Sequence, residues 1–569
     1  MHRIAMCSPI VFLVLLLAAC QPVQPVQNEQ PIEYGEAEVF VQGAAIPGVM
    51  DIDIGPDGHI YAASELADKI MALDAQTGDV LWEMDAGEDV PEAVRIAPDG
   101  TPYWTSFYSL NVCKAALTDQ DKVCQALPVD TWGLAFAPDG RLFIAADAHV
   151  QSLYEVDPAL ETEPRFVETI GALMAHFNFG PDGKLYVPMV ADGKILRVDV
   201  DSDPVTVERV AEGLTFPWSV DFGAEGQLYV AVSIDGQTSG VARVDVDTGE
   251  WEIVGQVPAG YNSVAVTTDG RILSAMNDDG NIYEILEDGT SQPFTEPGMI
   301  APGGLAVLPR ADGGESLFVA DWKTLRELDT QTGELLNKWH ATWFPGAIYG
   351  PRTLAAVGNE LLVTSWEDAW SGNAVQVWNP ELGEATVTET EFAWVANAIP
   401  FQSDIVVVDM QADAPWMVER INGVNMAERH ILGEGALQHP LGLVASEADL
   451  WVADYATGKV LQLIKDSQEL AEPTVLTDVL DRPEGMALAA DGRLLVAETG
   501  TGKLLAIDPT SGDIDVIAEG LGFAAENFGS IGPVSLPAQL VFSGVAVAPS
   551  GDIFVSGDAA NIIYRILRK

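Results

Sequence analysis

One unit recurs along the chain: an apolar strand, a turn ending in Asp-Gly or a similar pair, and a second strand of the Leu-Tyr-Val-Ala type. Clear copies are Ile52–Tyr61, Leu134–Ile144, Phe177–Val187 and Met486–Val496. The turn positions are Gly58, Gly100, Gly140, Gly183, Gly226, Gly270, Gly314, Asn359, Asp404, Asp449, Gly492 and Gly551. Their spacing is mostly about 40–45 residues, which is typical of a β-propeller blade of four short strands. The sequence therefore predicts an all-β fold.

The repeat count predicts more than one propeller. Twelve units exceed the four to eight blades usual for one ring, so tandem β-propellers with two six-bladed rings are the simplest solution. A division into seven and five blades is the alternative. An outer strand at Glu36–Gln42 precedes the first unit, and Thr290–Thr295 is expected to begin the second ring in the same way. This predicts propellers at 36–289 and 290–569, although the first strand can instead complete the last unit, Val545–Arg568.

The N-terminus predicts export and a lipid anchor. Residues 1–19 combine a basic start with a short apolar run, as a secretory signal peptide does. The sequence Leu17-Ala18-Ala19-Cys20 resembles the bacterial lipobox, in which the cysteine is lipidated. Residues 20–35 are then a tether, and the folded part is extracytoplasmic on a bacterial membrane. Plain secretion is the alternative.

Charge and cysteine content restrict the partners. The net charge is −57, which excludes nucleic acid as a partner because a surface this acidic repels phosphate backbones. We expect contact with the membrane through the lipid anchor only. In an oxidising compartment, Cys113 and Cys124 are placed to form a disulfide across a hairpin. Two unpaired, buried cysteines are the alternative.

Candidate ligand-binding residues precede each innermost strand, where the connections of all blades converge on one tunnel mouth. Reading this position unit by unit identifies Met50, Glu92, Trp132, Ala175, Trp218 and Asn262 in the first ring, and Gly303, Arg352, Ala396, Leu441, Glu484 and Ser543 in the second. In the first ring, a carboxylate, an amide, two indoles and the neighbouring His176 suit a sugar, a lactone or a metal ion. The structural alternative is that the two tryptophans fill the tunnel and Glu92 is solvated.

The second ring offers two charges of opposite sign. Arg352 and Glu484 are three units apart, which places them on opposite sides of a six-bladed ring. They would bind a zwitterionic or anionic ligand between them. Alternatively, they pair with each other or with neighbouring charges and serve only the fold.

Two segments resemble known propeller families. Pro483–Thr510 resembles the regucalcin/gluconolactonase (SMP-30-like) family and the strictosidine-synthase-like propellers, and His439–Val460 is similar to an NHL repeat. The gluconolactonase resemblance implies a divalent cation, calcium or zinc, held by a Glu, an Asn and an Asp. Glu484 matches the position of that Asp, whereas Leu441 stands where the Asn is expected. The resemblance therefore implies an incomplete metal site.

Two functions follow as hypotheses. The first is a binding or scaffold module that presents a propeller mouth to a small molecule, a glycan or a protein. The second is a metal-dependent lactonase or a lyase, in which Glu484 or Glu92 is the candidate metal ligand or catalytic base. The departure at Leu441 favours the binding module.

Overall fold

The computed structural model describes most of the chain after the tether. The described residues are 31–106, 109–117, 121–127, 131–146, 152–171, 175–235, 238–258, 260–341, 346–365, 373–390, 392, 394–409, 417–421, 429–523 and 542–569. The expected signal peptide, Cys20 and most of the expected tether lie outside these residues.

Twelve four-stranded antiparallel sheets account for the described strands, and six of them form from one continuous stretch of chain. We call these six sheets ring 1. Its strands are β2 (Val49–Ile54), β3 (Ile60–Ser64), β4 (Lys69–Leu73), β5 (Val80–Asp85), β6 (Ala93–Ile96), β7 (Pro102–Ser106), β8 (Asn111–Ala115), β9 (Lys122–Ala126), β10 (Thr131–Phe136), β11 (Leu142–Ala146), β12 (Ser152–Val156), β13 (Arg165–Thr169), β14 (Asn178–Phe179), β15 (Leu185–Met189), β16 (Lys194–Asp199), β17 (Thr206–Glu212), β18 (Ser219–Phe222), β19 (Leu228–Asp235), β20 (Thr238–Val244), β21 (Trp251–Pro258), β22 (Asn262–Val266), β23 (Ile272–Met276), β24 (Asn281–Ile285) and β25 (Ser291–Pro293).

The other six sheets, called ring 2, combine the first strand of the described chain with all the later ones. Its strands are β1 (Tyr34–Val41), β26 (Pro302–Pro309), β27 (Glu315–Asp321), β28 (Thr324–Asp329), β29 (Leu335–His340), β30 (Pro351–Val357), β31 (Glu360–Ser365), β32 (Ala374–Asn379), β33 (Glu384–Glu389), β34 (Val395–Phe401), β35 (Asp404–Asp409), β36 (Met417–Ile421), β37 (Arg429–Leu432), β38 (Pro440–Ala445), β39 (Leu450–Asp454), β40 (Lys459–Lys465), β41 (Gln468–Thr477), β42 (Pro483–Leu488), β43 (Leu494–Glu498), β44 (Lys503–Ile507), β45 (Ile514–Glu519), β46 (Val545–Val547), β47 (Ile553–Gly557) and β48 (Ile562–Arg568). A 3₁₀ turn, Asp558–Ala560, lies between β47 and β48.

The innermost strand of each sheet packs against the innermost strands of its two neighbours. In ring 1 these contacts run from β2 through β6, β10, β14 and β18 to β22, which returns to β2. In ring 2 they run from β26 through β30, β34, β38 and β42 to β46, which returns to β26. The predicted all-β propeller fold is confirmed. Two closed circles of six sheets are what two six-bladed propellers require.

Two strands correct the predicted boundary between the rings. Ser291–Pro293 pairs with Tyr283–Ile285 as the outer strand of the last ring 1 sheet, so it does not begin the second ring. Tyr34–Val41 pairs with Ile562–Arg568 in ring 2, so the stretch 36–289 is not one propeller. The discontinuous closure is the one observed, and it covers the sheet edge that β48 would otherwise expose.

The chain crosses between the rings twice, and the two crossings are hydrogen-bonded to each other. The Ala44 N–H donates to the Met299 carbonyl at 2.8 Å, and the Met299 N–H donates to the Gln42 carbonyl at 2.9 Å. The rings therefore share a paired connection.

No membrane-spanning helix was found among the residues that the structure describes.

Candidate functional site

The predicted mouth residues lie where the innermost strands begin. Glu92 and Trp218 immediately precede β6 and β18, and Asn262 is the first residue of β22. Arg352 and Glu484 are the second residues of β30 and β42. All five therefore occupy equivalent ends of the innermost strands.

Arg352 in ring 2 is a buried cation with no partner among the described residues. Its relative exposure is 4%, and its Nε is completely buried without a hydrogen-bond acceptor. Within 4.0 Å of its guanidinium nitrogens the described residues place no carboxylate, so the predicted direct pair with Glu484 does not form. Burial lowers the pKa of Arg352 to about 10, and Glu484 only partly opposes this shift. The guanidinium of Arg352 can therefore bind an anion.

Glu484 is held on the other side of the same tunnel. The Ser543 N–H donates to Glu484 Oε2 at 3.0 Å, and the Ser543 hydroxyl donates to Asp558 Oδ1 at 3.0 Å. Burial, and secondarily the charge of Asp558, raise the pKa of Glu484 to about 8. At neutral pH its carboxyl is mostly protonated, and it can donate a hydrogen bond to a ligand.

Glu484 belongs to no group of three His, Cys, Asp or Glu side chains close enough to share an ion among the described residues. The one described set of three His, Cys, Asp or Glu side chains close enough to share an ion is Asp89 with Cys113 and Cys124, far along the chain in ring 1. Leu441 is buried, and its carbonyl accepts a hydrogen bond from the Asn397 amide at 2.9 Å. Asn397 therefore supports the backbone beside Leu441 and does not replace the missing ligand.

Sequence reasoning missed the network that crosses the ring 1 tunnel. The Arg95 guanidinium lies 2.5 Å from Asp51 Oδ2 and also donates to the Phe177 carbonyl, at 3.4 Å. Asp51 Oδ1 lies 3.0 Å from His176 Nδ1. Although burial alone would raise the pKa of Asp51, Arg95 and His176 hold it below its usual value. Strands from three sheets are thereby joined across the tunnel.

Two further carboxylates, both half-buried, join neighbouring ring 1 sheets. Asp53 accepts from the Ile96 N–H at 2.7 Å, and Asp221 accepts from the Val266 N–H at 2.7 Å. Burial raises the pKa of Asp53 to about 7 despite Arg95 nearby. These residues could have been found from one feature of the sequence, a charged residue inside an otherwise apolar innermost strand. Such a residue is rarely buried without a partner.

Glu92 lies at the ring 1 mouth with a relative exposure of 7%. Its carboxylate makes no hydrogen bond or ion pair within the described part of the chain. Burial, then the charge of Glu65, raise its pKa to about 8, while Lys323 of ring 2 acts in the opposite direction. The residue as a whole is buried, whereas its carboxylate oxygens are not among the completely buried side-chain atoms, so the alternative of a solvated carboxylate is not contradicted.

The other predicted ring 1 residues divide between structural contacts and the mouth. The Asn262 amide donates to the Gly240 carbonyl of the neighbouring sheet at 3.2 Å. Trp132 lies in β10, where its carbonyl accepts from the Thr105 hydroxyl. Trp218 packs edge-on against Tyr261, with ring centroids 4.5 Å apart. Trp218 thus provides an aromatic wall of the mouth.

The predicted disulfide is present. Cys113 and Cys124 are bonded across neighbouring strands β8 and β9, with a Cα–Cα distance of 4.1 Å. The bond accounts for the proximity of these two sulfurs to Asp89, so that cluster is not a metal site.

No protein-family model and no curated protein matches the chain. Among solved structures, it is similar to a streptogramin B lyase at 17% identity, covering 50% of this chain and 94% of that one, with a TM-score of 0.37. A catalytically inactive virginiamycin B lyase from Staphylococcus aureus with quinupristin matches at 15% identity, 50% and 96% coverage, and a TM-score of 0.35. The extracellular domain of a putative hybrid two-component system from B. thetaiotaomicron matches at 12% identity, 94% and 82% coverage, and a TM-score of 0.33.

Proposed function

We propose that this protein is a lipid-anchored extracytoplasmic binding module whose ring 2 tunnel binds a small anionic ligand. Arg352 is the anchoring cation, and the protonated carboxyl of Glu484 is a second donor from the opposite side. The observation that carries the proposal concerns Arg352. The residue is 4% exposed, and its guanidinium has no partner among the described residues.

The energetic argument concerns the cost of an unpaired buried charge. Moving a cation out of water costs several kcal/mol unless a partner compensates. The lowered pKa of Arg352 reflects this cost, and a bound carboxylate or phosphate would remove it. An unpaired cation in such an environment destabilises the fold, whereas it favours the binding of an anionic ligand.

The extracytoplasmic location is supported by the Cys113–Cys124 bond. Structural disulfides persist in oxidising compartments and are rare where thiols are kept reduced. The anchor itself rests on the lipobox-like sequence ending at Cys20, outside the described residues. Radiolabelled palmitate incorporation into the full chain, lost in Cys20→Ala, tests the anchor separately.

Ligand binding is tested with acetate, inorganic phosphate and glycine as probes, using titration calorimetry on the wild type and on Arg352→Met. We expect the wild type to bind at least one probe and the variant to lose at least tenfold in affinity, since a charge-assisted hydrogen bond contributes about 1.5–3 kcal/mol. The three probes distinguish a carboxylate, a phosphate and a zwitterion. Arg165→Met, at an exposed arginine, is the matched control.

Thermal unfolding distinguishes a binding role from a structural one. If Arg352 serves a ligand, Arg352→Met removes an uncompensated buried charge and raises the Tm of the free protein. A lowered Tm together with unchanged probe binding would mean that Arg352 supports the fold, and the proposal would be wrong.

A further inference from the structure

The mouth of ring 1 has the opposite electrostatic character to that of ring 2. Glu92 is more than nine-tenths buried, and no described side chain lies within hydrogen-bond or ion-pair distance of its carboxylate. Glu65 and Asp51 add negative potential there. Arg95 and His176 both contact Asp51, and neither makes an ion pair with Glu92. Glu92 therefore has no cation in direct contact, and a bound cation would favour its ionised form.

An ammonium group already lies against the aromatic wall of this mouth. The turn between β27 and β28 of ring 2 places Lys323 Nζ 4.4 Å from the centre of the Tyr261 ring and 3.6 Å from Asp278 Oδ1. Lys323 Nζ is also 3.5 Å from Asn277 Oδ1. A cation over an aromatic face next to a carboxylate is a favourable arrangement. The wall thus accommodates an ammonium, although Lys323 does not pair directly with Glu92.

The donor set at Glu92 suits an organic cation better than a metal ion. Calcium takes six to eight oxygen ligands, and zinc takes four from His, Cys or carboxylates. Among the described residues, Glu92 belongs to no group of three His, Cys, Asp or Glu side chains close enough to share an ion. One buried carboxylate, with an aromatic pair at Trp218 and Tyr261, matches an ammonium carried on an apolar body.

We infer that the ring 1 mouth is a second binding site, specific for small organic ammonium ions, in which Glu92 pairs with the ammonium and Trp218 and Tyr261 pack against the rest of the ligand. The site is independent of Arg352. Its rim includes Lys323, so it is formed jointly by both rings.

The test compares three probes of nearly the same shape: benzylamine, benzyl alcohol and benzoate. Titration calorimetry and the fluorescence of the tryptophans follow binding to the full chain. We expect benzylamine to bind at least tenfold more tightly than benzyl alcohol, and Glu92→Gln to abolish that difference while keeping the shape of the side chain. Glu434→Gln, at an exposed glutamate, is the matched control.

Several results would overturn the inference. Equal affinity of the wild type for benzylamine and benzyl alcohol would remove the ammonium preference, whatever the variants do. Unchanged benzylamine binding in a folded Glu92→Gln protein would place the ligand elsewhere. Stoichiometric calcium or zinc that competes with benzylamine would identify a metal site. If Glu92→Gln unfolds, the comparison of the three probes on the wild type still tests the preference for an ammonium.

Discussion

At the scale of single residues, both mouths contain a buried carboxylic acid whose ionisation opposes folding. Burial raises the pKa of Glu92 and of Glu484 to about 8 from an ordinary value of 4.5. A carboxyl group with a raised pKa binds more protons in the folded state than in the unfolded state. The contribution of these two groups to stability is therefore fullest below about pH 4.5 and declines as the pH rises towards 8.

This linkage gives a pH-dependent prediction for Glu484→Gln. Glutamine cannot ionise, so the variant should gain Tm relative to the wild type at pH 8.5 and gain little or nothing at pH 5. Arg352, Asp558, Ser543 and Tyr455 surround or influence the carboxyl group and remain unchanged. Thermal unfolding at both pH values, with Glu434→Gln as the exposed control, provides the measurement. The same Tm difference at pH 5 and pH 8.5 would contradict the raised pKa.

Some residues of the mouths could be predicted from the repeat, and others could not. Glu92 and Arg352 stand at a fixed position before an innermost strand, so reading that position in every unit finds them. Arg95 lies inside its strand, where the repeat predicts only apolar residues. Its partner Asp51, and His176, which contacts the same carboxylate, come from other parts of the ring, so their contacts depend on ring closure and not on local spacing.

At the scale of secondary-structure elements, ring 2 is closed by a strand from the far end of the chain. Five residue pairs join β1 to β48, and Arg565 bonds Glu38 at 2.6 Å. Phe40 packs on Phe554 with centroids 5.2 Å apart, beneath the Arg565 guanidinium. The alternating pattern of Tyr34–Val41 predicts a strand but does not indicate the ring to which it belongs. The sequence of an edge strand does not specify the sheet with which it pairs.

Closure by β1 predicts a stability difference between two similar phenylalanines. Phe40→Ala removes packing from the closing strand and should cost about 1–3 kcal/mol, less than a fully buried phenylalanine because Phe40 is half-buried. Phe166→Ala, on the outer strand of a ring 1 sheet with 52% exposure, should cost well under 1 kcal/mol. Urea unfolding of both variants measures the difference. Equal midpoints would show that β1 contributes little to the closure.

At the scale of the whole molecule, the rings are joined by a buried network of charges. Asp279, in the turn between β23 and β24, lies 2.6 Å from Lys338 Nζ in ring 2 and 4.0 Å from Arg326. Arg326 also pairs with Asp321 at 2.7 Å. Although burial alone would raise the pKa of Asp279, Lys338 and Arg326 hold it well below its usual value. In the sequence, Asp279 looks like an ordinary turn residue, because its partner Lys338 lies 59 residues later in the other ring.

Removing the central carboxylate of this network should weaken the connection between the rings. Asp279→Asn leaves the half-buried Lys338 without its carboxylate while Arg326 keeps Asp321, so we expect a cost of about 3 kcal/mol, at the lower end of what breaking a buried ion pair costs. Differential scanning calorimetry should then show a lower Tm and a separation of one unfolding transition into two, as each ring unfolds by itself. Asp192→Asn is the control, since it breaks an exposed pair with Lys194 and such pairs contribute about 1 kcal/mol or less. A Tm for Asp279→Asn as high as that of the control would mean that the paired chain crossings, and not these charges, hold the two rings together.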